Sequence, residues 1–349
     1  MTGRGVDQIL PRPSAAALHE SYVTDARFYV QLADKASGHV PRSVDPAYIW
    51  GDALDELTGV DPDARIINLE TSITRSDERW PGKRIHYRMD PANVECLTAA
   101  KIDVCVLANN HILDHGYAGL RETLDTLAAA GIKTAGAGRS LAEAERPAVL
   151  DLPGDRRVVV FSMGSETSGV LPAWAATDTR PGVDYLPDLS GATADRVVER
   201  VCGVKRPRDV VIASIHWGTN WGYEVPLAHV RFAHRLVDGG VDVVHGHSSH
   251  HPRAIEMYRG KLVLYGCGDF IDDYEGIRGY EAFRDDLVLM YFAAVDPHGG
   301  DPVRLRMTPM RIRKIQLNRT QADEAEWLRD TITAASRAAE RPVVPPDRA

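Results

Sequence analysis

The chain has 349 residues and a mass of 38.4 kDa, and its 44% hydrophobic and 26% charged residues are usual for a globular protein. A net charge of −8 argues against nucleic acid or an anionic membrane surface as partner. No apolar run approaches the ~20 residues of a membrane helix, and the polar start 1–12 is unlike a signal peptide. We therefore expect a cytoplasmic protein without a membrane partner. The four scattered cysteines are typical of buried thiols in a reducing compartment.

Apolar runs and helical patterns alternate along most of the chain, which indicates βαβ units. The polar segment 71–83 is predicted to be a long surface loop, and the insertion 165–187 is too long for a simple connection. The predicted helices are 25–35, 50–57, 92–101, 117–130, 192–202, 226–237 and 320–339. The predicted strands are 64–69, 103–108, 132–135, 148–152, 157–163, 209–215, 241–244, 254–258, 261–265, 287–295 and 303–317.

The pattern changes after residue 254, where strands follow one another without helices between them. Arg259-Gly260 is a hairpin signal between two of these strands. We expect a second, more antiparallel sheet here. The simplest organisation is one domain over 1–319, followed by a C-terminal helix and a Pro-rich tail over 320–349.

A histidine-rich stretch follows the short apolar strand 241–244. It carries four histidines within seven residues, which are His245, His247, His250 and His251. Crowded imidazoles need partners for every ring nitrogen, and they are common ligands of divalent metals. A solvated loop that is rich in histidine is the alternative. We interpret His245 and His251 as supporting or loop residues rather than ligands.

Residues that bind cations follow the ends of four predicted strands. Because the strands of an open α/β sheet end at one edge, these side chains are expected to converge. All the donors are nitrogen or oxygen atoms, which favours a metal over caps and surface polar groups. The strand ends supply Glu70, Asn110, His111, His216, His247 and His250.

Two of these residues have particular expected roles. Glu70 is the candidate bridging carboxylate for a pair of metals ~3.5–4 Å apart. His111 is the candidate general acid or base, and Asp114 would orient its ring. Taken singly, Glu70 has the ordinary explanation of a surface residue or helix cap, and His216 that of an imidazole packed among aromatic rings. A nearby acidic turn, with Asp269, Asp272 and Asp273, is interpreted as a solvated loop rather than a cation site.

The order and spacing of these motifs resemble the CapA family of capsule-biosynthesis proteins. The matching segments are Asn68-Leu-Glu70, Asn109-Asn-His-x-x-Asp-x-Gly116, His216-Trp-Gly218, Gly246-His-x-x-His250 and the run 261–270. The resemblance implies a mixed α/β (α+β) fold, the four-layer αββα sandwich of calcineurin-like metallophosphoesterases. It further implies that Glu70 bridges two metals and that Asn110, His216 and His247 hold one of them. His250 would hold the other, and His111 would be the catalytic imidazole.

The start of the chain departs from the family pattern. The family opens with a strand that ends in Gly-Asp-x-Met-x-Gly-Arg, and Met1-Thr-Gly-Arg4 matches only the end of this motif. We expect a misplaced start codon, because a missing first strand would leave a central ladder unpaired. The alternative is an enzyme that lacks one ligand, which would weaken the His250 site and favour a single metal.

Several functions fit such a centre. We expect a metal-dependent enzyme, hydrolytic in type, acting on a phosphoester or on a peptide or polyglutamate-like chain. The main alternative is a peptide epimerase, an activity assigned to some CapA-like enzymes, and a further one is a non-catalytic, metal-stabilised binding protein. Manganese, iron or zinc suits the donors best, with calcium and magnesium left open. The insertion 165–187, with Trp217, Trp221 and Tyr223, is expected to line a groove for an extended chain, although core packing explains these aromatic residues nearly as well.

Overall fold

Two stacked β-sheets, each covered by helices on its outer face, make up the body of the protein. The computed structural model describes residues 1–296 and 303–339, so the predicted Pro-rich tail 341–349 lies outside the described residues. Within the described ranges, no helix combines the length and the apolar character needed to cross a bilayer.

The helices and strands follow the predicted alternation closely. The helices are α1 (Gly5–Ile9), α2 (Arg27–Ser37), α3 (Ala53–Val60), α4 (Glu95–Ala99), α5 (Gly116–Ala129), α6 (Leu141–Ala144), α7 (Gly191–Val204), α8 (Leu227–Asp238) and α9 (Ala322–Ala339). The strands are β1 (Ile66–Asn68), β2 (Ser72–Ile73), β3 (Arg88–Met89), β4 (Val104–Val106), β5 (Lys133–Ala135), β6 (Ala137–Gly138), β7 (Ala148–Leu152), β8 (Arg156–Ser165), β9 (Gly182–Val183), β10 (Tyr185–Leu186), β11 (Asp209–His216), β12 (Val243–His247), β13 (Ile255–Tyr258), β14 (Lys261–Leu264), β15 (Leu287–Ala294), β16 (Arg304–Ile312) and β17 (Leu317–Arg319).

The larger sheet has the strand order β10-β8-β11-β12-β14-β13, with β7 paired to β8. Its central strands β8, β11, β12 and β14 are parallel, while β7 and β13 pair antiparallel with their neighbours. Val159 and Phe161 of β8 pack against Val197 of α7 and Phe232 of α8. The Ser190 side chain begins α7 by accepting a hydrogen bond from the Thr193 backbone N–H. Helices α7 and α8 therefore form one outer layer.

The smaller sheet, β1-β4-β5, is fully parallel. Successive side chains of a strand point to opposite faces. Val104 and Val106 of β4 accordingly pack with Val160 of the larger sheet, while Cys105 lies in the other core with Leu120 of α5. The layers thus run helix, sheet, sheet, helix. This arrangement confirms the predicted mixed α/β fold and its αββα sandwich.

The C-terminal part adds a third sheet, β15-β16-β17, in which both pairings are antiparallel. The predicted single strand 303–317 is wrong, because the chain reverses between β16 and β17. Lys314 and Ile315 turn there with φ of 60° and 53°, without the glycine that usually signals such a turn. Leu328 and Ile332 of α9 pack on Leu287 and Leu289 of β15. A boundary between domains at residue 319 stays a prediction.

The predicted surface loop 71–83 is also wrong over its first residues. Thr71, Ser72, Ile73 and Thr74 are buried, and β2 pairs in parallel with β3. The prediction failed because the polar side chains of this segment hydrogen-bond to buried groups and are therefore not exposed to solvent. Ser72 Oγ, for example, donates to the His111 carbonyl at 2.9 Å. The segment therefore lies against the loop that follows β4.

Gly246 of β12 lies in a tightly packed part of the strand that carries the histidines. A Cβ atom there would lie 2.6 Å from the carbonyl oxygens of Leu264 and Tyr265 and 2.7 Å from Trp217 Nε1. We expect Gly246→Ala to lower the free energy of unfolding by about 1–3 kcal/mol, as overpacking does elsewhere. Urea denaturation measures the change. Gly203→Ala is the matched control, because nothing lies within 4 Å of its added Cβ and it sits in helix α7. Equal stabilities for the two variants would show that Gly246 is not tightly packed.

Candidate functional site

His216 and His247 lie side by side because β11 and β12 pair in parallel, with these two residues opposite each other. Their Nδ1 atoms are 2.7 Å apart and their ring centroids 4.9 Å apart. The rings are 0% and 4% exposed, and this burial lowers the pKa of both far below the usual 6.5. Both imidazoles are therefore neutral at pH 7, which is the form that binds a metal.

Glu70 reaches the same place from the smaller sheet, just after β1. Its Oε1 lies 4.0 Å from His216 Nε2, and its Oε2 accepts a hydrogen bond from Asn68 Nδ2 at 2.9 Å. Asn109 Nδ2 donates to Asn68 Oδ1 at 3.0 Å, which ties the loops after β1 and β4 together. Burial raises the pKa of Glu70. The predicted convergence of strand ends thus brings Glu70 and His216 together.

Two of the predicted ligand atoms, His216 Nε2 and Asn110 Oδ1, are buried and have no hydrogen-bond partner in the part of the chain that the structure describes. Buried polar atoms are nearly always satisfied, and His216 Nε2 lies 4.0 Å from the buried Glu70 carboxylate, so these unsatisfied atoms suit a cation. The chemistry of the predicted donors therefore fits a divalent metal.

The ligand set is nevertheless not assembled. Among residues 1–296 and 303–339, no group of three or more His, Cys, Asp or Glu side chains is arranged to hold a metal ion. His247 uses both ring nitrogens elsewhere, since Nδ1 contacts His216 and Nε2 lies 3.0 Å from Ser214 Oγ. Metal binding by both histidines would require that this His216–His247 contact breaks.

His250 lies in the turn that follows β12. The turn that carries it includes Ser248 with φ of 120°, a strained conformation that is common at functional sites. His250 Nδ1 lies 2.9 Å from Asp269 Oδ2. Burial opposes protonation of His250, but Asp269 and Glu70 outweigh it and raise the pKa of the imidazole. His250 differs in this respect from the other imidazoles of the site.

The acidic turn after β14 is not the solvated loop that the sequence predicts. Asp272 and Asp273 are each 1% exposed. Asp273 receives two hydrogen bonds from the Arg4 guanidinium, at 2.6 and 3.1 Å, and Asp269 is bonded to His250. Asp273 and Asp269 are buried because each has a cationic or imidazole partner elsewhere in the chain, whereas Asp272 accepts a hydrogen bond from the Tyr274 backbone N–H at 2.8 Å. Burial and the neighbouring Asp269 raise the pKa of Asp272.

His111 and Asp114 are adjacent, as predicted, with Nδ1 of the imidazole 2.7 Å from Oδ2 of the carboxylate. Burial lowers the pKa of His111 to about 4. Burial opposes ionisation of Asp114, but His111 and Lys83 outweigh it and hold the pKa of Asp114 at about 2. The pair is therefore a neutral imidazole beside a carboxylate at pH 7.

Sequence reasoning missed Lys83, which it assigned to a surface loop. Its Nζ donates to Asp114 Oδ1 and to the Asn110 carbonyl, and it lies 2.9 Å from His111 Nδ1. Burial lowers the pKa of Lys83. A lone lysine after Trp80-Pro-Gly in a polar segment gives no periodic signal, so nothing in the sequence distinguished it.

Sequence reasoning also missed a cluster of aromatic rings that packs around Arg4 beside the site. The Arg4 guanidinium lies 3.8 Å from the ring centroid of Tyr29 and 4.3 Å from that of Tyr87. Tyr87 packs edge-on against His111 at 4.6 Å, and its hydroxyl donates to that of Tyr274 at 3.1 Å. Arg4 and these tyrosines thus form a packed cluster that contacts His111, the catalytic candidate, through Tyr87.

A cavity of about 960 Å³ opens beside His250 and is lined in part by Tyr87, Tyr274 and Trp221. The expected groove is therefore present, but most of the residues that the sequence predicts in its walls do not line it. Trp217 is 1% exposed and stacks on the His229 ring at 4.6 Å, because it packs beneath the larger sheet rather than beside the cavity. The insertion 165–187 and Tyr223 are absent from the lining that the structure describes.

The remaining two histidines bond to other protein atoms. His245 Nδ1 lies 3.0 Å from Ser214 Oγ, and His251 Nε2 accepts a hydrogen bond from the Gly222 backbone N–H at 3.1 Å. The His251 ring stacks on Phe283 at 4.7 Å. These contacts agree with their interpretation as supporting residues.

Known proteins resemble this chain over most of its length. A family model described as bacterial capsule synthesis protein PGA_cap matches residues 1–274. A probable polyglutamine synthesis accessory protein of Mycobacterium tuberculosis is 50% identical over 338 residues, which is 97% of this chain and 89% of that protein. The PGA biosynthesis protein CapA of Bacillus subtilis is 27% identical over 249 residues, 71% of this chain and 61% of that protein. The capsule biosynthesis protein CapA of Bacillus anthracis is 24% identical over 213 residues, 60% of this chain and 48% of that protein.

Because the buried histidines resist protonation, we expect the folded protein to lose stability in acid. His229 lies outside the cluster of candidate ligands, so its substitution measures this effect separately. Burial, with a smaller effect of Arg253, lowers the pKa of His229 from 6.5 to about 4. Between these values the unfolded chain binds a proton that the folded chain does not, so the unfolding free energy falls as pH falls. We expect His229→Gln to reduce this slope by up to about 1.4 kcal/mol per pH unit in metal-free protein. Urea denaturation from pH 7 to pH 5 measures it, and an unchanged slope would contradict the assignment.

Proposed function

Since the chain belongs to the bacterial capsule synthesis protein family PGA_cap, we propose that it is a metal-dependent, hydrolytic enzyme that acts on a peptide or polyglutamate-like chain. The membership confirms the resemblance to CapA proteins that the motifs predict. One relative is named for polyglutamine synthesis and another for PGA biosynthesis, which supports a peptide-like chain over a phosphoester as the substrate. The cytoplasmic location stays a prediction.

The observation that carries the proposal is the approach of Glu70 Oε1 to the unsatisfied His216 Nε2 at 4.0 Å. A carboxyl group and a neutral imidazole from different sheets are buried together here. The positive charge of a divalent ion would compensate for their burial. Nitrogen and oxygen donors of this kind suit manganese, iron or zinc. We assign one or two such ions to Glu70, Asn110, His216, His247 and His250.

A bound ion would polarise the carbonyl or phosphoryl group of the substrate and lower the pKa of a water molecule. His111 would then move a proton at Nε2, because its Nδ1 faces Asp114 and Lys83. Asp114, held ionised, fixes the orientation of the ring. Lys83 offsets the charge of Asp114 and ties it to the Asn110 backbone.

Two substitutions separate the catalytic role from the ligand role. We expect His111→Ala to lower turnover by about 10²–10⁴-fold, as loss of a general acid or base does, with metal content unchanged. We expect His216→Ala to lose both metal and turnover. His39→Ala is the matched control, because the side chain of His39 is 82% exposed. Metal content by mass spectrometry and release of product from glutamate oligomers are the measurements.

Other results would change the assignment. If His111→Ala loses its metal together with its activity, His111 is a ligand. Exchange of a peptide α-proton with deuterium from solvent, without cleavage, would replace hydrolysis by epimerisation. Metal-independent binding with no turnover on any peptide or phosphoester would indicate a binding protein instead.

A further inference from the structure

The charge of the cavity beside His250 is opposite to that of the whole protein. The chain carries 49 acidic and 41 basic residues, yet the described residues that line this cavity include no Asp or Glu. Three permanent cations, Arg4, Lys35 and Arg278, line it together with His250. A cavity of this kind concentrates anions, because its low-dielectric walls focus the field of the charges.

The three cations differ in how their charge is balanced. Arg4 is 4% exposed and is paired with Asp273 and Glu20. Lys35, in the last turn of α2, and Arg278 are exposed, and neither forms an ion pair within residues 1–296 and 303–339. Both side chains can therefore meet a ligand, although Arg278 also lies near the exposed Glu281, whereas the charge of Arg4 is already neutralised by protein groups.

The rim of the cavity adds apolar surface next to these cations. Tyr22 is 65% exposed, Phe28 39% and Tyr280 36%, and all three line the cavity. Tyr280 stacks on Trp221 with ring centroids 4.0 Å apart. Aromatic faces of this kind pack against the aliphatic part of a side chain while its charged end reaches a cation. The combination suits a ligand with both methylene groups and carboxylates.

We propose that Lys35 and Arg278 form an anion-binding subsite for carboxylates of a chain substrate that lie away from the reacting bond. This subsite rests on the proposed function, because it extends the cavity that opens at His250. A volume of about 960 Å³ is at the upper end for small-ligand pockets, which favours an extended chain over a single amino acid. Carboxylates joined in one chain bind with a raised effective concentration, so longer oligomers bind more tightly.

The test measures binding of a fluorescent glutamate oligomer to the full chain with a metal chelator present. We expect Lys35→Ala and Arg278→Ala each to weaken binding about two- to fivefold, and the double variant about tenfold, as for exposed ion pairs. Arg121→Ala is the matched control, because Arg121 is exposed on α5 and does not line the cavity. Free glutamate should compete poorly, and a glutamine oligomer should bind more weakly than the glutamate oligomer.

The proposal is overturned if the double variant binds like the unchanged chain, if the glutamine oligomer binds as tightly, or if no oligomer binds. These outcomes leave the metal-dependent reaction untouched, because the measurement excludes metal. Loss of turnover in His111→Ala, with oligomer binding retained, would conversely support the reaction without bearing on the subsite. The two proposals can therefore fail separately.

Discussion

The approach of Glu70 to His216, which joins strand ends of the smaller and the larger sheet, is the interaction on which the site depends. Taking a carboxylate and several imidazoles out of water is costly unless they are paired. The cost is visible as a raised pKa of Glu70 and a strongly lowered pKa of His216, both caused first by burial. A divalent ion would offset this cost, so its binding energy would also stabilise the fold.

The imidazoles around this point fall into two groups. Among the residues that the structure describes, no carboxylate lies within hydrogen-bonding distance of His216 or His247, and burial keeps both neutral. His111 and His250 each contact an aspartate, at 2.7 and 2.9 Å. A carboxylate orients an imidazole and fixes its tautomer, which a ligand or a proton-transferring residue requires. Of the second group, His250 lines the cavity, so a substrate in the cavity would lie beside an imidazole that a carboxylate orients.

Much of this arrangement follows from sequence alone, because parallel strands bring their carboxyl ends to one edge. Glu70 and His216 could be placed together from that rule and from apolar runs of strand length. Lys83 could not, since its position depends on the path of a polar segment whose side chains bond to buried groups. The burial of Asp273 could not be predicted either, because its partner Arg4 lies 269 residues away. The turn at Lys314 and Ile315 had no glycine to mark it.

The anomalous difference density of a crystal grown with manganese tests most directly whether a metal binds at Glu70 and His216. We expect a peak within bonding distance of a Glu70 oxygen and of His216 Nε2, with the hydrogen bond between His216 and His247 broken. A peak elsewhere would contradict this expectation. An intact His216–His247 contact, with no manganese at Glu70 when manganese is saturating, would contradict it as well.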